Sequence, residues 1–198
     1  NSKHAIAVLR MQAGERLLIT DGLGKSYTGE IISAHKKSCP VRILESTYTP
    51  GPAAKISIAI SPIKNMSRFE WFLEKATEIG VGEIILLHCQ RTEKLHVRME
   101  RMQQILVSAM LQSQQVWLPE LNAPTDFKQV IQTAAHGKKW IAHCLPESRK
   151  SLRGQGAAKD DQILLIGPEG DFTPGEIEMA LGAGFIPVEL GRTRLRTE

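Results

Sequence analysis

Two short apolar runs, each followed by a loop that contains glycine, lie within residues 162–198 and constrain the fold more than any other feature. The first run, ILLI at residues 163–166, ends at GPEG, and the second ends at Leu190-Gly191. A short aliphatic run bounded by glycine and proline is typical of a strand buried on both faces, as in a parallel sheet. Ligands of open α/β sheets bind in the crevice beyond the carboxyl ends of such strands. The sequence therefore predicts an α/β fold with a ligand site formed by these two loops.

A helix is predicted between the two runs. Thr173 can act as its N-cap, Pro174 as its first residue and Glu176 as the reciprocal partner in a capping box. Gly184 follows the last apolar positions, where a residue in the left-handed conformation commonly ends a helix. The GPEGDF loop is therefore expected to lie between two rigid elements.

Strand and helix patterns alternate after residue 55, which favours a parallel sheet. Strands are predicted at residues 56–60, 83–87 and 140–143, and helices at residues 68–79 and 125–135. A further helix is predicted from an apolar stripe at helical spacing, formed by Met102, Ile105, Leu106, Ala109 and Met110. These elements indicate one α/β domain over residues 55–198.

Residues 1–46 have a different pattern, with short β-like runs separated by turns. The runs cover residues 16–20, 27–34 and 41–44, and Asp21-Gly22 after the first run is a strong turn signal. Residues 47–54 contain two prolines and a glycine, which disfavour both a helix and a central strand. We therefore predict a small β-rich domain at residues 1–50, joined by a linker to the α/β domain.

Composition limits the class of protein only broadly. The chain has 198 residues, of which 42% are hydrophobic and 23% charged, as expected of a soluble globular protein. Its formal net charge of +4 favours an anionic partner weakly. The cysteines Cys39, Cys89 and Cys144 show no CxxC spacing, which indicates reduced thiols in a cytoplasmic protein. No apolar run has the length of a membrane span, so no membrane partner is expected.

Three sequence motifs together resemble one known family. They are HxxxVLR at residues 4–10, the IGPEG loop with its following helix, and LGxxRLRTE at residues 190–198. This combination is similar to the RsmE family of ribosomal RNA methyltransferases, which belongs to the SPOUT superfamily. The resemblance implies a trefoil-knotted parallel sheet at residues 55–198, preceded by a PUA-like RNA-binding domain at residues 1–50.

The resemblance also implies an activity, which is methyl transfer from S-adenosylmethionine (SAM) to N3 of a uridine in small-subunit (16S) ribosomal RNA. The substrate would be the free RNA or the assembled small ribosomal subunit, and proteins of this type are typically homodimers. The chain departs from the family pattern at Asp171, where a second glycine is usual. Its first residue is not methionine, and the family's ending continues past the position of Glu198 into a helix threaded through the knot. We therefore expect both ends to be incomplete.

The family's cofactor contacts lie in the loops after these strands and in the tail. Adenine recognition needs a close approach of backbone groups, which glycine permits, in a mostly apolar slot. The resemblance implies cofactor contacts at Leu145, Ile166, Gly167, Glu169, Gly170, Leu190, Gly191, Leu195, Arg196 and Thr197. The alternative is that the glycines are ordinary turn residues of an α/β fold.

Uridine N3 carries a weakly acidic proton, which must leave before N3 attacks the methyl carbon. A base, or cations that stabilise the anionic ring, would lower the barrier. The nearest candidates are Arg194, Arg196 and Glu198. Arg196 is expected to stabilise O2 or O4 of the ring, and Glu198 or Glu169 to orient the base. Alternatively, Arg196 and Glu198 pair with each other and have only a structural role.

RNA is expected to be bound mostly through its phosphates, by lysine and arginine side chains. The candidates are Lys3, Arg10 and Arg42 in the first domain, Arg91 and Lys94 in the loop after the second predicted α/β strand, and Gln112 as a residue that lines the site. For each of the basic residues, an ordinary solvated surface position is the alternative.

Other kinds of site fit the sequence less well. A P-loop needs a lysine that GPEGDF lacks, and the dinucleotide-binding GxGxxG motif is absent. His88-Cys89 and His143-Cys144 each close a predicted strand, but consecutive side chains of a strand point to opposite faces, so no metal site is expected. Two other functions stay open, namely an RNA-binding protein with an inactive methyltransferase domain and a nucleotide-binding α/β enzyme of another class.

Replacement of Arg10 by alanine should weaken RNA binding and leave SAM binding unchanged, because Arg10 belongs to the predicted RNA-binding domain and the predicted cofactor loops belong to the other domain. Fluorescence anisotropy with a labelled RNA and calorimetry with SAM measure the two affinities. Equal RNA affinity in the variant and the wild-type chain would contradict this expectation.

Overall fold

The computed structural model of the protein describes residues 2–94, 96–145, 150–152, 159–191, 193 and 195–198. The chain divides into two compact units. The first consists of Asn1–Gly51 together with Gln114–Trp117, and the second of Pro52–Ser113 together with Leu118–Glu198. The sequence predicted a boundary between residues 50 and 55, but it did not indicate that a short segment near residue 115 belongs to the first unit.

The first unit contains a three-stranded antiparallel sheet. A π-helical segment, His4–Val8, precedes strands β1 (Arg16–Thr20), β2 (Lys25–Ile31) and β3 (Val41–Tyr48), which lie in the order β1-β2-β3. All three predicted runs are therefore strands, and the β-rich character of this unit is confirmed. β3 continues to Tyr48, four residues beyond the predicted run, so the extended linker begins later than expected.

Residues 114–117 complete the first unit through backbone and aromatic contacts. The Gly24 N–H donates to the Val116 carbonyl at 2.9 Å, and the Trp117 indole N–H donates to the Thr49 carbonyl at 3.1 Å. Gly24 has φ +93°, and a Cβ at this position would lie 2.5 Å from the Trp117 ring. Gly24 is therefore needed both for the turn and for the close approach of Trp117.

The second unit is built on a parallel sheet, as the alternating pattern predicted. In the part that the structure describes, the sheet has seven strands in the order β6-β5-β4-β9-β7-β10-β8, and the recorded pairings are all parallel. The strands are β4 (Ile56–Ile60), β5 (Glu83–His88), β6 (Glu120–Asp126), β7 (Lys138–Ala142), β8 (Lys150–Ser151), β9 (Gln162–Ile166) and β10 (Ile186–Glu189). Because all strands run in one direction, their carboxyl ends meet at one edge of the sheet.

In the described part of the chain, four helices cover the two faces of this sheet. They are α1 (Met66–Glu78), α2 (Met99–Gln112), α3 (Phe127–Thr133) and α4 (Pro174–Gly182). The adjacent residues Leu86 and Leu87 belong to different core clusters, one shared with α1 and α2 and the other with α3 and α4. This follows from the alternation of side chains along a strand. Among the described residues, no helix is long and apolar enough to cross a membrane.

Two strands were not predicted, and both lie at edges of the sheet. β6 has the sequence ELNAPTD, in which proline and asparagine lower the strand propensity, and β8 has only two residues. An edge strand tolerates Pro124 because one side of its backbone needs no ladder hydrogen bonds. The helix predicted from residue 125 begins instead at Phe127, since Asp126 caps it by accepting the Lys128 N–H at 2.8 Å.

The predicted capping box of α4 is confirmed. The Thr173 hydroxyl accepts the Glu176 N–H, and the Glu176 carboxylate accepts the Thr173 N–H at 2.8 Å. The other carboxylate oxygen of Glu176 accepts the Gln90 N–H, also at 2.8 Å, from the loop after β5. Glu176 is 4% exposed, so this carboxylate is a buried link between a helix start and a neighbouring loop. Gly184 has φ +83° and follows the helix in the left-handed conformation, as predicted.

Replacement of Glu176 by alanine should lower the free energy of unfolding by about 1–3 kcal/mol, because it leaves partly buried backbone N–H donors without an acceptor. Urea denaturation measures this change. Glu178 lies on the same helix with its side chain exposed, and its replacement by alanine is the matched control, with an expected change within about 0.5 kcal/mol. Equal effects of the two substitutions would show that the Gln90 and Thr173 contacts add nothing to stability.

Candidate functional site

The carboxyl ends of β4, β9, β7 and β10 surround an open cleft of about 1140 Å³. Its walls are the loop from β4 into α1, the end of β7, the loop after β9, and the residues that follow β10. This is the edge at which ligands of parallel α/β sheets bind. The two predicted glycine loops therefore meet at one site.

The loop after β9, residues 167–171, is named the GPEGD loop here. Three consecutive residues of this loop bond to three different neighbouring loops. The Glu169 carboxylate accepts the Lys64 N–H at 2.9 Å, the Gly170 carbonyl accepts an Arg91 guanidinium N–H at 2.7 Å, and the Asp171 carboxylate accepts the Cys144 N–H at 2.8 Å. The loops after β4, β5 and β7 are thus all fastened to the GPEGD loop.

Glu169, which is predicted to orient the substrate base, already accepts a hydrogen bond within the protein. One of its carboxylate oxygens accepts the backbone N–H of Lys64. The Lys64 ammonium group pairs with Glu93 at 2.7 Å, and this hydrogen bond to Glu93 raises the pKa of Lys64. Glu169 therefore connects the cleft to the loop after β4, with one oxygen already engaged.

Arg91, a predicted RNA contact, also bonds within the unit. Its guanidinium donates to the Gly170 carbonyl, and the aliphatic part of its side chain lies 3.5 Å from the point that a Cβ on Gly170 would occupy. Arg91 thus supports the GPEGD loop from outside the cleft. The guanidinium also donates to the Phe172 carbonyl at 3.5 Å, and the residue is exposed.

Asp171, noted above as a departure from the family pattern, has a left-handed backbone with φ +63°. This conformation costs an L-residue about 1–2 kcal/mol, although aspartate tolerates it better than most residues. The Oδ1 atom accepts the adjacent Phe172 N–H at 2.8 Å, and the Oδ2 atom accepts the Cys144 N–H at 2.8 Å. These two hydrogen bonds offset the cost of the backbone conformation.

The tail after β10 is joined to the start of α1 by an ion pair. The Arg68 guanidinium lies 3.3 Å from the Glu198 carboxylate, whose side chain is 11% exposed. Arg68 is in the first turn of α1, where the helix dipole disfavours a cation. Helix stability therefore does not account for arginine at this position. The sequence suggested Arg196 as a partner of Glu198 but did not indicate Arg68, which is 130 residues away in the chain.

Most of the predicted cofactor residues line the cleft. Those that do so are Ile166, Gly167, Glu169, Leu190, Gly191, Leu195, Arg196 and Thr197. Gly170 lies against Arg91, and Leu145 packs against the core cluster of α3 and α4. The cleft also contains residues that the sequence did not indicate, among them Asn65, Arg68 and Asp171.

Packing within the GPEGD loop gives a reason for glycine at position 167. A Cβ at this position would lie 3.1 Å from the Phe172 ring and 3.2 Å from the Phe172 nitrogen. A side chain at this position would press on Phe172, so the turn of the GPEGD loop favours glycine here even without a ligand. For this residue the ordinary turn interpretation and the cofactor interpretation both apply.

The predicted catalytic and RNA-binding residues are distributed over both units. Arg196 and Glu198 line the cleft, and Arg194 lies outside the described residues. Lys3, Arg10 and Arg42 belong to the first unit, where Arg42 lies 3.8 Å from Glu30. Lys94 follows β5, and Gln112 is the exposed last residue of α2. Gln112 lies outside the cleft lining, and its contact with RNA stays a prediction.

The cysteines differ sharply in accessibility. Cys144 is exposed and lines the cleft, whereas Cys89 is buried. Burial, with a further contribution from the Glu176 carboxylate, raises the pKa of the Cys89 thiol well above its ordinary value. Within the described ranges, no group of His, Cys, Asp and Glu side chains is arranged to hold a metal ion.

Comparison with known families assigns both parts of the chain. Residues 49–198 match the RNA methyltransferase domain, and residues 1–44 match the RNA methyltransferase PUA domain. The chain belongs to the RNA methyltransferase family. The resemblance to RsmE is confirmed by relatives of that name, and the PUA-like domain precedes the α/β domain of this family member as the sequence indicated.

Three relatives illustrate the similarity. The ribosomal RNA small subunit methyltransferase E of Synechocystis is 30% identical over 96% of this chain, which spans 64% of that protein's length. A Legionella pneumophila protein solved with the bound cofactor SAM is 32% identical, with a TM-score of 0.89 over 99% of this chain and 83% of its own. The Neisseria gonorrhoeae ribosomal RNA small subunit methyltransferase E bound to SAM is 26% identical, with a TM-score of 0.86 over 98% and 82%.

Thiol labelling should distinguish the cysteines of this methyltransferase family member. A neutral alkylating reagent is expected to modify Cys144 in the native protein and to leave Cys89 unmodified, because Cys89 is both inaccessible and protonated. Peptide mass spectrometry identifies the labelled thiols, and labelling in urea is the control in which both react. Rapid modification of Cys89 in the native protein would contradict the burial described here.

Proposed function

We propose that the chain is a SAM-dependent methyltransferase that acts on N3 of a uridine in small-subunit (16S) ribosomal RNA. The observation that carries the proposal is the cleft at the carboxyl edge of the sheet, lined by the GPEGD loop and by Leu190-Gly191. Proteins of the same fold hold SAM, and relatives over most of the chain are named ribosomal RNA small subunit methyltransferase E.

The residues of the cleft fit SAM in size and in chemistry. The volume of about 1140 Å³ accommodates a molecule of this size. Glu169 and Asp171 line the cleft beside Gly167, in a loop that lacks the lysine of a phosphate-binding loop. Carboxylates at this position disfavour a ligand that carries phosphates, because like charges repel.

The chemistry places separate demands on the cofactor and on the protein. Bound SAM supplies a methyl group on a positively charged sulfur, which keeps the electron pair of the broken carbon–sulfur bond when the carbon bonds to N3. The protein must align the uridine and stabilise the negative charge that spreads over the ring when the N3 proton leaves. Arg196, which lines the cleft, is assigned to the O2 or O4 oxygen of the ring.

Glu198 is the better of the two carboxylates considered for orienting the base. Its carboxylate lies in the cleft and is held by the Arg68 guanidinium at 3.3 Å. One oxygen of Glu169 accepts the Lys64 N–H and ties that carboxylate to the loop after β4, whereas Glu198 belongs to the same tail as Arg196. The ion pair with Arg68 holds the Glu198 carboxylate in one orientation, which is what a group that receives or directs the N3 proton requires.

The proposal includes a trefoil knot in the α/β domain. β9 lies between β4 and β7, and β10 between β7 and β8, so late strands are inserted among early ones. This order supports the trefoil knot implied by the RsmE resemblance.

We further propose that the PUA-like domain at residues 1–50 binds the RNA or the small ribosomal subunit, and that the protein acts as a homodimer in the cytoplasm.

The experiment that tests the function is a methylation assay on small ribosomal subunits and on free 16S RNA, with mapping of the modified base. The expected product is N3-methyluridine at a single site. The methylation assay separates the enzyme from an inactive RNA-binding relative, which would transfer no methyl group even if calorimetry shows that SAM is bound. Absence of SAM binding, or a preference for nucleotide phosphates, would overturn the proposal.

Replacement of Arg196 by alanine should lower kcat by about 100-fold, since one stabilising donor for the ring anion is lost. Glu198→Gln should lower kcat as well, because an amide cannot receive the proton. Both are measured by transfer of labelled methyl groups at saturating SAM. Arg98→Ala and Glu178→Gln, at exposed positions outside the cleft, are the matched controls. Unchanged methyl transfer in both cleft variants would remove these residues from the mechanism.

A further inference from the structure

We propose that Asp171 is a positioning residue for the cofactor, whose carboxylate holds the loops after β7 and β9 at the spacing that SAM binding requires. The inference rests on the proposed function, because it assigns Asp171 a role in the binding of SAM. It also gives a reason for an aspartate at a backbone position that would suit glycine.

The two oxygens of the Asp171 carboxylate have different partners. Oδ1 accepts the N–H of the next residue, Phe172, at 2.8 Å, which is a local bond that an aspartate in this turn can make by itself. Oδ2 accepts the Cys144 N–H at 2.8 Å, from a loop 27 residues away. Glycine would adopt the φ of +63° without strain but would lack both acceptors. The bond to Cys144 is therefore the contact at the cleft that aspartate makes and glycine cannot make.

The bond to Cys144 lies directly beyond the last paired residues of two neighbouring strands. β7 and β9 end with the pair Ala142 and Ile166, after which each strand enters its loop. Without a further link, the two loops would be free to separate at this point. The Asp171 carboxylate bridges the gap, so its bond to Cys144 contributes, with the packing of the sheet, to the spacing of these strand ends.

The same bond fixes a backbone carbonyl of a residue that lines the cleft. The peptide unit between His143 and Cys144 is planar, so a fixed direction for the Cys144 N–H also fixes the direction of the His143 carbonyl. Residues 143 and 144 line the cleft together with Asp171. Backbone groups at strand ends are the polar contacts that adenine recognition uses in such sites. Asp171 is thereby expected to act on SAM through the backbone of the neighbouring loop.

A positioning role and a direct charge role for Asp171 have different consequences. SAM carries a sulfonium charge, whereas its product S-adenosylhomocysteine (SAH) is a neutral thioether at the same sulfur. A carboxylate that attracts the sulfonium would favour SAM alone. A carboxylate that positions the loops supports both ligands equally, and asparagine can replace it, because an amide oxygen also accepts the Cys144 N–H.

The test compares Asp171→Gly and Asp171→Asn with the wild-type chain. Asp171→Gly should raise the Kd of SAM and of SAH by about tenfold each, the effect of losing one well-formed hydrogen bond. The KM for SAM should rise by the same factor, with kcat at saturating SAM within about twofold of wild type, as for an interaction that serves binding rather than the transition state. Asp171→Asn should restore both affinities to within about threefold of the wild-type values.

Hydrogen exchange provides a readout that needs no cofactor. The Cys144 amide should exchange faster in Asp171→Gly than in the wild-type chain, and at close to the wild-type rate in Asp171→Asn. Asp126→Ala is the matched control, because Asp126 also accepts a backbone N–H at 2.8 Å but does not line the cleft. This control should lower the melting temperature and leave both Kd values unchanged.

The outcomes separate this inference from the proposed function. If the wild-type chain fails to bind SAM, the proposed function falls and the inference falls with it. If the wild-type chain binds SAM and Asp171→Gly binds it equally well, the inference alone is overturned. A loss of SAM affinity with unchanged SAH affinity and no rescue by asparagine would assign Asp171 a direct charge role and would also overturn it. A lower melting temperature with unchanged Kd values would reduce Asp171 to a structural residue.

Discussion

Three consecutive residues of the GPEGD loop accept hydrogen bonds that hold together the loops that form the cleft. Glu169, Gly170 and Asp171 bond to the loops after β4, β5 and β7 in turn. Each bond joins parts of the chain that are distant in sequence, so it can form only once the sheet has brought the strand ends together. The spacing of the cleft walls therefore depends on bonds between loops as well as on the packing of the sheet beneath them.

The order of the strands makes this arrangement possible. β9 occupies a central place between β4 and β7, although it comes late in the chain, and the loop that follows it is flanked on both sides. Because the sheet is parallel, the loops after all of these strands lie at the same edge. The ion pair between Arg68 and Glu198 likewise joins distant parts of the chain at the cleft, namely the start of α1 and the tail.

The sequence predicted the elements that have strong local signals. The strand at Ile56–Ile60, the apolar stripe of α2 and the capping box of α4 were all recognisable, because each is encoded by residues within a few positions of one another. β6 and β8 escaped prediction because edge strands bury little surface and tolerate proline and polar residues. The role of Trp117 in the first unit escaped prediction because its partners are far away in the chain.

By itself, the sequence determined that glycine loops end two apolar strands, that a capped helix lies between them, and that the chain carries RsmE-like motifs. Only the tertiary structure decided which side chains cooperate around the cleft. Cys144 lies 27 residues from Asp171, Gln90 lies 86 residues from Glu176, and Arg68 lies 130 residues from Glu198. Strand and cap signals act over a few residues, whereas these pairings depend on the order in which the strands assemble, and no local pattern encodes that order.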